Sequence, residues 1–130
     1  MWTSEIQKRI YYHDTDSGGV VYYANYLKYL EEGRTEYFLQ RSLDLKTLSG
    51  EGILFVVAAI EVKYKAPARY GDIIRVQTAI EELKSSSIRF RQHVYEGQKV
   101  LVEAFVVIVC IGPDFKPRPI PLNIRQLILP

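Results

Sequence analysis

Between Ile53 and Ile111 the chain keeps returning to one pattern, a strand-like stretch closed by a breaker, and a single stretch with helical spacing lies ahead of it. Asp72 to Leu83 alternates Ile74, Val76, Thr78 and Ile80 against Arg75, Gln77, Ala79 and Glu81. Ser87 to Tyr95 alternates Ile88, Phe90 and Val94 against Arg89, Arg91, His93 and Tyr95. A period of two sends successive side chains to opposite faces, so these segments read as half-buried antiparallel strands. Ile53 to Lys65 opens as a continuous apolar run, ends in alternation and is stopped by Pro67, while Lys99 to Ile111 follows the turn Glu96-Gly97-Gln98. Every position from Ala104 to Ile111 is apolar, which predicts a last strand buried on both faces.

Ahead of the strands, Ala24 to about Gln40 places Tyr26, Leu30, Gly33 and Tyr37 on one helical face with Leu27 beside them, and Lys28, Glu32, Thr35 and Glu36 on the other. Glu31 precedes Arg34 by one turn, the spacing of a partly buried structural ion pair. Residues 5 to 12 read as a first strand, and Ser42 to Gly52 as a polar connection holding about one helical turn. One helix followed by strands on short connections specifies an α+β fold in which an antiparallel sheet packs on that helix. A helix of about 16 residues, ~10 Å across, cannot cover both faces of such a sheet. Self-association is therefore expected, through the doubly apolar last strand or an exposed strand edge.

At 130 residues the chain suits one domain, 1–130, with a sizeable core. A hydrophobic fraction of 48% argues against disorder, and a net charge of +2 supplies no field that would single out nucleic acid. The lone Cys110 lies in an apolar run and reads as a buried, inert thiol in a reducing compartment. The N-terminal stretch lacks a secretory core and the apolar runs are too short to span a bilayer, so a cytoplasmic protein without membrane insertion is expected. His13 and His93 are isolated from each other and from acids at ligand spacing, so no metal site and no serine or cysteine triad is expected.

The chemistry concentrates in Tyr11-Tyr12-His13-Asp14-Thr15-Asp16-Ser17-Gly18-Gly19-Val20-Val21-Tyr22-Tyr23, immediately before the helix. Glycines permit a tight turn, a helix start offers unpaired N–H groups with partial positive charge, and Asp16 supplies a carboxylate that can act as base or nucleophile. A carbonyl oxygen held by those N–H groups would lie within reach of Asp16. The structural alternative is that Asp16 caps the helix or closes an Asx turn. Asp14 reads as stabilising the turn, and His13 as solvated or supporting.

The ordered series Tyr12-x-Asp14-Thr15-Asp16-x-x-Gly19-x-Val21-Tyr22-x-Ala24-x-Tyr26, Glu31-x-x-Arg34, Val62-x-Tyr64-x-Ala66-Pro67-Ala68-Arg69-x-x-Asp72 and Lys116-Pro117-Arg118-x-x-Pro121 resembles the hotdog-fold acyl-CoA thioesterases of the YbgC and 4-hydroxybenzoyl-CoA thioesterase type. The resemblance covers nearly the whole chain. It implies a long helix wrapped by a curved antiparallel sheet, with subunits joined edge to edge as a homodimer that pairs again into a homotetramer. It implies hydrolysis of acyl-CoA to a carboxylic acid and CoA without metal or organic cofactor, on short or aromatic acyl groups.

By correspondence Asp16 is the catalytic carboxylate, as nucleophile or general base, and the backbone N–H of Tyr23 is the donor to the thioester oxygen, with Gly19 allowing close approach. Relatives often carry histidine where this chain has Tyr23, so a histidine-assisted step is not expected here. Val21 and Tyr22 are expected beside the substrate, and Phe55 and the other tyrosines are candidates for shaping the acyl pocket or filling the core. Lys65, Arg69, Arg89, Arg91, Lys116 and Arg118 are candidates for the CoA phosphates, with Lys116 and Arg118 favoured because Pro117 stiffens their loop. Two rival readings accompany the first: an acyl carrier protein as the physiological acyl donor, and a non-catalytic acyl-CoA-binding scaffold associated with the Tol–Pal system.

Overall fold

The computed structural model describes residues 3–129, so Met1, Trp2 and Pro130, the first two of which open the N-terminal stretch read above, lie outside it. The strands are β1 (Thr3–Arg9), β2 (Leu54–Tyr64), β3 (Ile73–Leu83), β4 (Ser87–Glu96) and β5 (Lys99–Ile111), and the helices are α1 (Asn25–Leu39), α2 (Leu45–Gly50) and α3 (Leu122–Ile128). The strands form one antiparallel sheet in the order β1-β3-β4-β5-β2, which leaves β1 and β2 at the edges. This is the α+β architecture expected from the change of period along the chain.

The period-two reading of β3 and β4 holds except at Ala79, which was expected on the outward face and is 2% exposed. Ile74, Val76, Thr78 and Ile80 are buried on β3, and Ile88, Phe90, Gln92 and Val94 on β4, while their alternating neighbours Arg75, Gln77, Arg89 and His93 are partly exposed. The buried set faces α1, which contributes Tyr26, Tyr29, Leu30, Gly33, Arg34, Tyr37 and Phe38. Leu27 is 40% exposed, and the tyrosine two positions on, Tyr29, packs in its place. Two core clusters result, one around Tyr37, Phe38 and Phe90 and one around Tyr26, Leu30 and Val76.

Gly33 marks the crossing between them. A Cβ there would stand 2.9 Å from both Thr78 Oγ1 and Val76 Cγ1, so the helix descends onto the sheet where there is no side chain. Gln92, wholly buried at this crossing, donates to the Leu30 carbonyl and to Thr78 Oγ1, each at 2.9 Å, and accepts from Arg34 Nη1 at 3.0 Å. The expected Glu31–Arg34 ion pair is replaced by this network, because burial turns the guanidinium toward the nearest interior acceptor; no Glu31 oxygen lies within pairing distance among the described residues. Burial also lowers the Arg34 pKa, with the Glu31 charge partly opposing the shift.

Three other expectations are corrected. The first strand stops at Arg9 rather than 12, because the Asp14 carboxylate accepts the Tyr11 N–H at 2.8 Å and winds Tyr12–Asp14 into a single 3-10 turn. The last strand, β5, is buried on one face: Val102, Ala104, Val106, Ile108 and Cys110 point inward, while Phe105, Val107 and Val109 are half-exposed. The uncovered apolar strand is β2, whose Val57, Ile60 and Tyr64 are 52%, 41% and 47% exposed because α1 does not reach over the edge. A third helix, α3, was not anticipated; it starts after Pro121 and buries Ile124 and Ile128. Among the described residues no helix is long and apolar enough to cross a membrane.

Candidate active site

The loop from Tyr11 to Ala24 is built around one aspartate and one turn. The Asp14 carbonyl accepts two donors, the Tyr22 N–H at 3.0 Å and Asn25 Nδ2 at 2.9 Å, and so ties the 3-10 turn to the start of α1. Beyond it the chain reverses: the Asp16 N–H donates to the Val20 carbonyl at 2.9 Å and the Gly19 N–H to the Asp16 carbonyl at 3.0 Å. Gly19 holds φ +77°, a backbone state that L side chains rarely adopt. The returning strand is locked by the Val21 N–H on the Ala68 carbonyl at 2.9 Å, and the Ala68 N–H in turn donates to Tyr26 Oη at 2.9 Å.

Asp16 is exposed, and its Oδ1 accepts the Gly18 N–H at 2.8 Å. The Asx turn considered as the structural alternative is therefore present. It occupies one carboxylate oxygen; among the described residues the other has no donor, so the turn orients the group and leaves an acceptor free. Beside it opens a cleft of about 320 Å³ whose walls include Asp16, Val21, Tyr23, Tyr26, Tyr64 and Pro67. The N–H groups of Tyr23 and Ala24, at the helix start, have no protein acceptor among the described residues. A carboxylate and apolar walls thus meet in one concavity, with the start of α1 at its border.

Residues 11–126 match the family model described as the thioesterase-like superfamily. The chain belongs to that superfamily. An acyl-CoA thioester hydrolase, YbgC, from Escherichia coli is 40% identical over 118 residues, covering 89% of this chain and 88% of its own. Among solved structures, a probable thioesterase from Bartonella henselae superposes with a TM-score of 0.88 at 33% identity, covering 92% of this chain and all of the other. A gentisyl-coenzyme A thioesterase superposes at 0.88 with 25% identity, over 94% and 99% of the two chains. The fold is the hotdog fold, and the protein is a thioester hydrolase.

Within this thioesterase the sequence-based site residues divide. Asp16, Val21 and Tyr23 line the cleft and Gly19 shapes its turn. Tyr22 is 45% exposed with its ring 4.9 Å from that of Tyr23, whose neighbouring hydroxyl raises the Tyr22 pKa. Lys65 also borders the cleft and pairs with Glu103 at 3.3 Å. Lys116 and Arg118 are elsewhere: the Arg118 N–H donates to the Cys110 carbonyl, and Cys110 pairs with Phe55 near the start of β2. Tyr64 ends the same strand at the cleft, so at ~3.3 Å per residue the two places are separated by up to roughly 30 Å of strand within one protomer.

The other candidates fall outside the cleft. Arg89 bridges Glu81 at 3.0 Å and lies over the Phe105 ring on the outer sheet face, which Arg91 and His93 share. Burial lowers the His93 pKa, and its Nδ1 lies 3.1 Å from Tyr95 Oη. His13 is exposed, with Nε2 3.9 Å from Asp14 Oδ1. Phe55 stacks on Phe38, 5.6 Å between centroids, at the far end of the helix. Cys110 is buried, which raises its thiol pKa. The tyrosine walls Tyr26 and Tyr64 carried no individual assignment from the sequence; helical spacing gave Tyr26 an inward position, but spacing does not reveal an uncovered neighbour.

Proposed function

We propose that the chain hydrolyses acyl-CoA thioesters with short or aromatic acyl groups to a carboxylic acid and CoA. The observation that carries this reading is the presence of Asp16 and Tyr23 on the walls of one small cleft. At about 320 Å³ that cleft lies at the low end of the ~300–1,000 Å³ usual for small-molecule sites, which favours a compact acyl group over a long chain. The activities named for the Escherichia coli and gentisyl-coenzyme A relatives support a CoA thioester and an aromatic acyl group.

Asp16 acts as general base or as nucleophile. As base it takes a proton from water while the water oxygen attacks the thioester carbon; the oxyanion is held by the Tyr23 N–H, and collapse breaks the C–S bond with the proton passing to the departing thiolate. As nucleophile its oxygen displaces the thiolate to form a mixed anhydride, which water then opens. Either route uses a carboxylate, a main-chain donor and a partly dry pocket, and neither calls for a metal or organic cofactor.

Assembly into a homodimer, and from dimers into a homotetramer, belongs to the same proposal. The β2 edge offers free backbone groups and the apolar Val57 and Ile60 to a second copy. Antiparallel pairing of β2 with itself would set the Leu54 end of one protomer against the Tyr64 end of the other, bringing Lys116 and Arg118 of one chain toward the cleft of its partner, where they would meet the CoA phosphates.

Release of free thiol from a panel of acyl-CoA esters tests the reading, with the same acyl group offered on acyl carrier protein. Turnover is expected on short and aromatic CoA esters. No thiol release above background from any of them would sink it, and a marked preference for the protein carrier would transfer the reading to that donor.

A further inference from the structure

The segment Tyr22–Asn25, which presents the donor, is fixed on its inner side by the Asp14 carbonyl and on itself by the Asn25 N–H, which donates to the Tyr22 carbonyl at 2.9 Å. On the cleft side its tether is a side chain from the sheet. Tyr64 Oη donates to the Tyr23 carbonyl at 3.1 Å. The Tyr64 ring stands edge-on to that of Tyr23, 6.1 Å between centroids at 89°, and 5.7 Å from that of Tyr26. Its backbone is held in register opposite Val102, so the hydroxyl projects from a rigid element onto the start of the helix.

We propose that Tyr64 is a positioning residue, whose hydroxyl, bonded to the Tyr23 carbonyl, sets the tilt of the Tyr23–Ala24 peptide and so the direction of the Ala24 N–H, the second unpaired donor at the helix start, relative to Asp16. The proposal rests on the function given above and adds a residue to it. Asp14 and Asn25 hold the segment at its ends; without the Tyr64 bond the central peptide is free to rock about them. Small misplacements of a donor are expensive in rate, because the oxyanion position must be met within a few tenths of an ångström. Partial burial, with a further contribution from Tyr23, raises the Tyr64 pKa above the ordinary tyrosine value, so the phenol keeps its proton and donates throughout the neutral range.

Tyr64→Phe removes the hydroxyl and keeps the ring and its contacts with Tyr23 and Tyr26, at a position 47% exposed. The expected result is a kcat for thioester hydrolysis lowered roughly three- to tenfold, the loss of one hydrogen bond, with KM within about twofold and an unchanged pH profile. In the ligand-free protein the amide resonances of Tyr23 and Ala24 shift while that of Thr78 stays in place. An unchanged kcat, a change in KM alone, a displaced basic limb of the pH profile or unmoved Tyr23 and Ala24 amides would each overturn the proposal. If Asp16→Asn is inactive while Tyr64→Phe matches wild type, the positioning role fails and the hydrolase reading stands. If the wild type turns over no thioester, the hydrolase reading fails, and the amide shifts still decide whether the tether exists.

Discussion

The two ends of α1 are held by different physics. Its C-terminal end is held by apolar packing: Tyr37, Phe38 and Phe90 interlock edge to face at 5.5 to 6.1 Å, and Leu48 of α2 with Ile124 and Ile128 of α3 pack in the same cluster, although a cleft of about 260 Å³ opens beside Phe38 and Phe55. Its N-terminal end rests on a comparable apolar floor of Leu30, Ile74 and Val94, but the layer above that floor is a hydrogen-bonded loop with exposed tyrosines and an open cleft. Apolar burial is strong and non-directional, so it stabilises without fixing any one group. Hydrogen bonds contribute little net energy each but define direction, which suits an end that must stay open and still aim a carboxylate and an N–H.

The contrast breaks most readily at the apolar end. Phe90→Ala removes a fully buried ring and should cost about 3–5 kcal/mol in denaturant unfolding, with turnover per folded molecule kept. A loss of kcat in the folded variant would mean that the two ends are mechanically coupled. At the open end Tyr26→Phe keeps the packing and orphans the buried Ala68 N–H, at a cost of about 1–3 kcal/mol together with a fall in turnover, because the strand carrying Val21 loses its anchor. Equal stability losses for the two variants, or full activity for Tyr26→Phe, would erase the distinction.

A smaller effect comes from the outer face, remote from both ends. His93 has its pKa lowered by burial and by the positive charges of Arg91 and Lys65, with Glu103 opposing. The folded state therefore binds its proton less readily than the unfolded chain does. The stability that neutral His93 contributes is complete above the unfolded value near 6.5 and is lost as pH falls from there through the lowered folded value. Unfolding midpoints followed from pH 7 downward should show this decline for the wild type and a shallower one for His93→Gln. Parallel curves would show that His93 titrates alike in both states.

Much of this division was legible in the residues. Alternation in β3 and β4 gave the inward faces, helical spacing gave the Tyr26, Leu30, Gly33 and Tyr37 stripe, and the acid-glycine run gave the loop. What spacing could not show is which strand ends up uncovered. β2 and β5 are both apolar runs, and only their order in the sheet decides that β5 lies between neighbours and β2 at an edge. Arg34 escaped for a related reason: a local rule pairs it with Glu31, whereas Gln92, 58 positions away, is the acceptor that burial brings to it. The short α3 depends on tertiary contact, since seven residues do not hold a helix unaided.

Asp16→Asn tests the central claim most directly. Asparagine keeps the oxygen that accepts the Gly18 N–H, so the turn persists and only the charge and basicity go. The prediction is an unfolding midpoint and ligand affinity close to wild type with kcat reduced roughly a hundredfold to ten-thousandfold. A variant that folds, binds its thioester and turns it over at the wild-type rate would contradict the account.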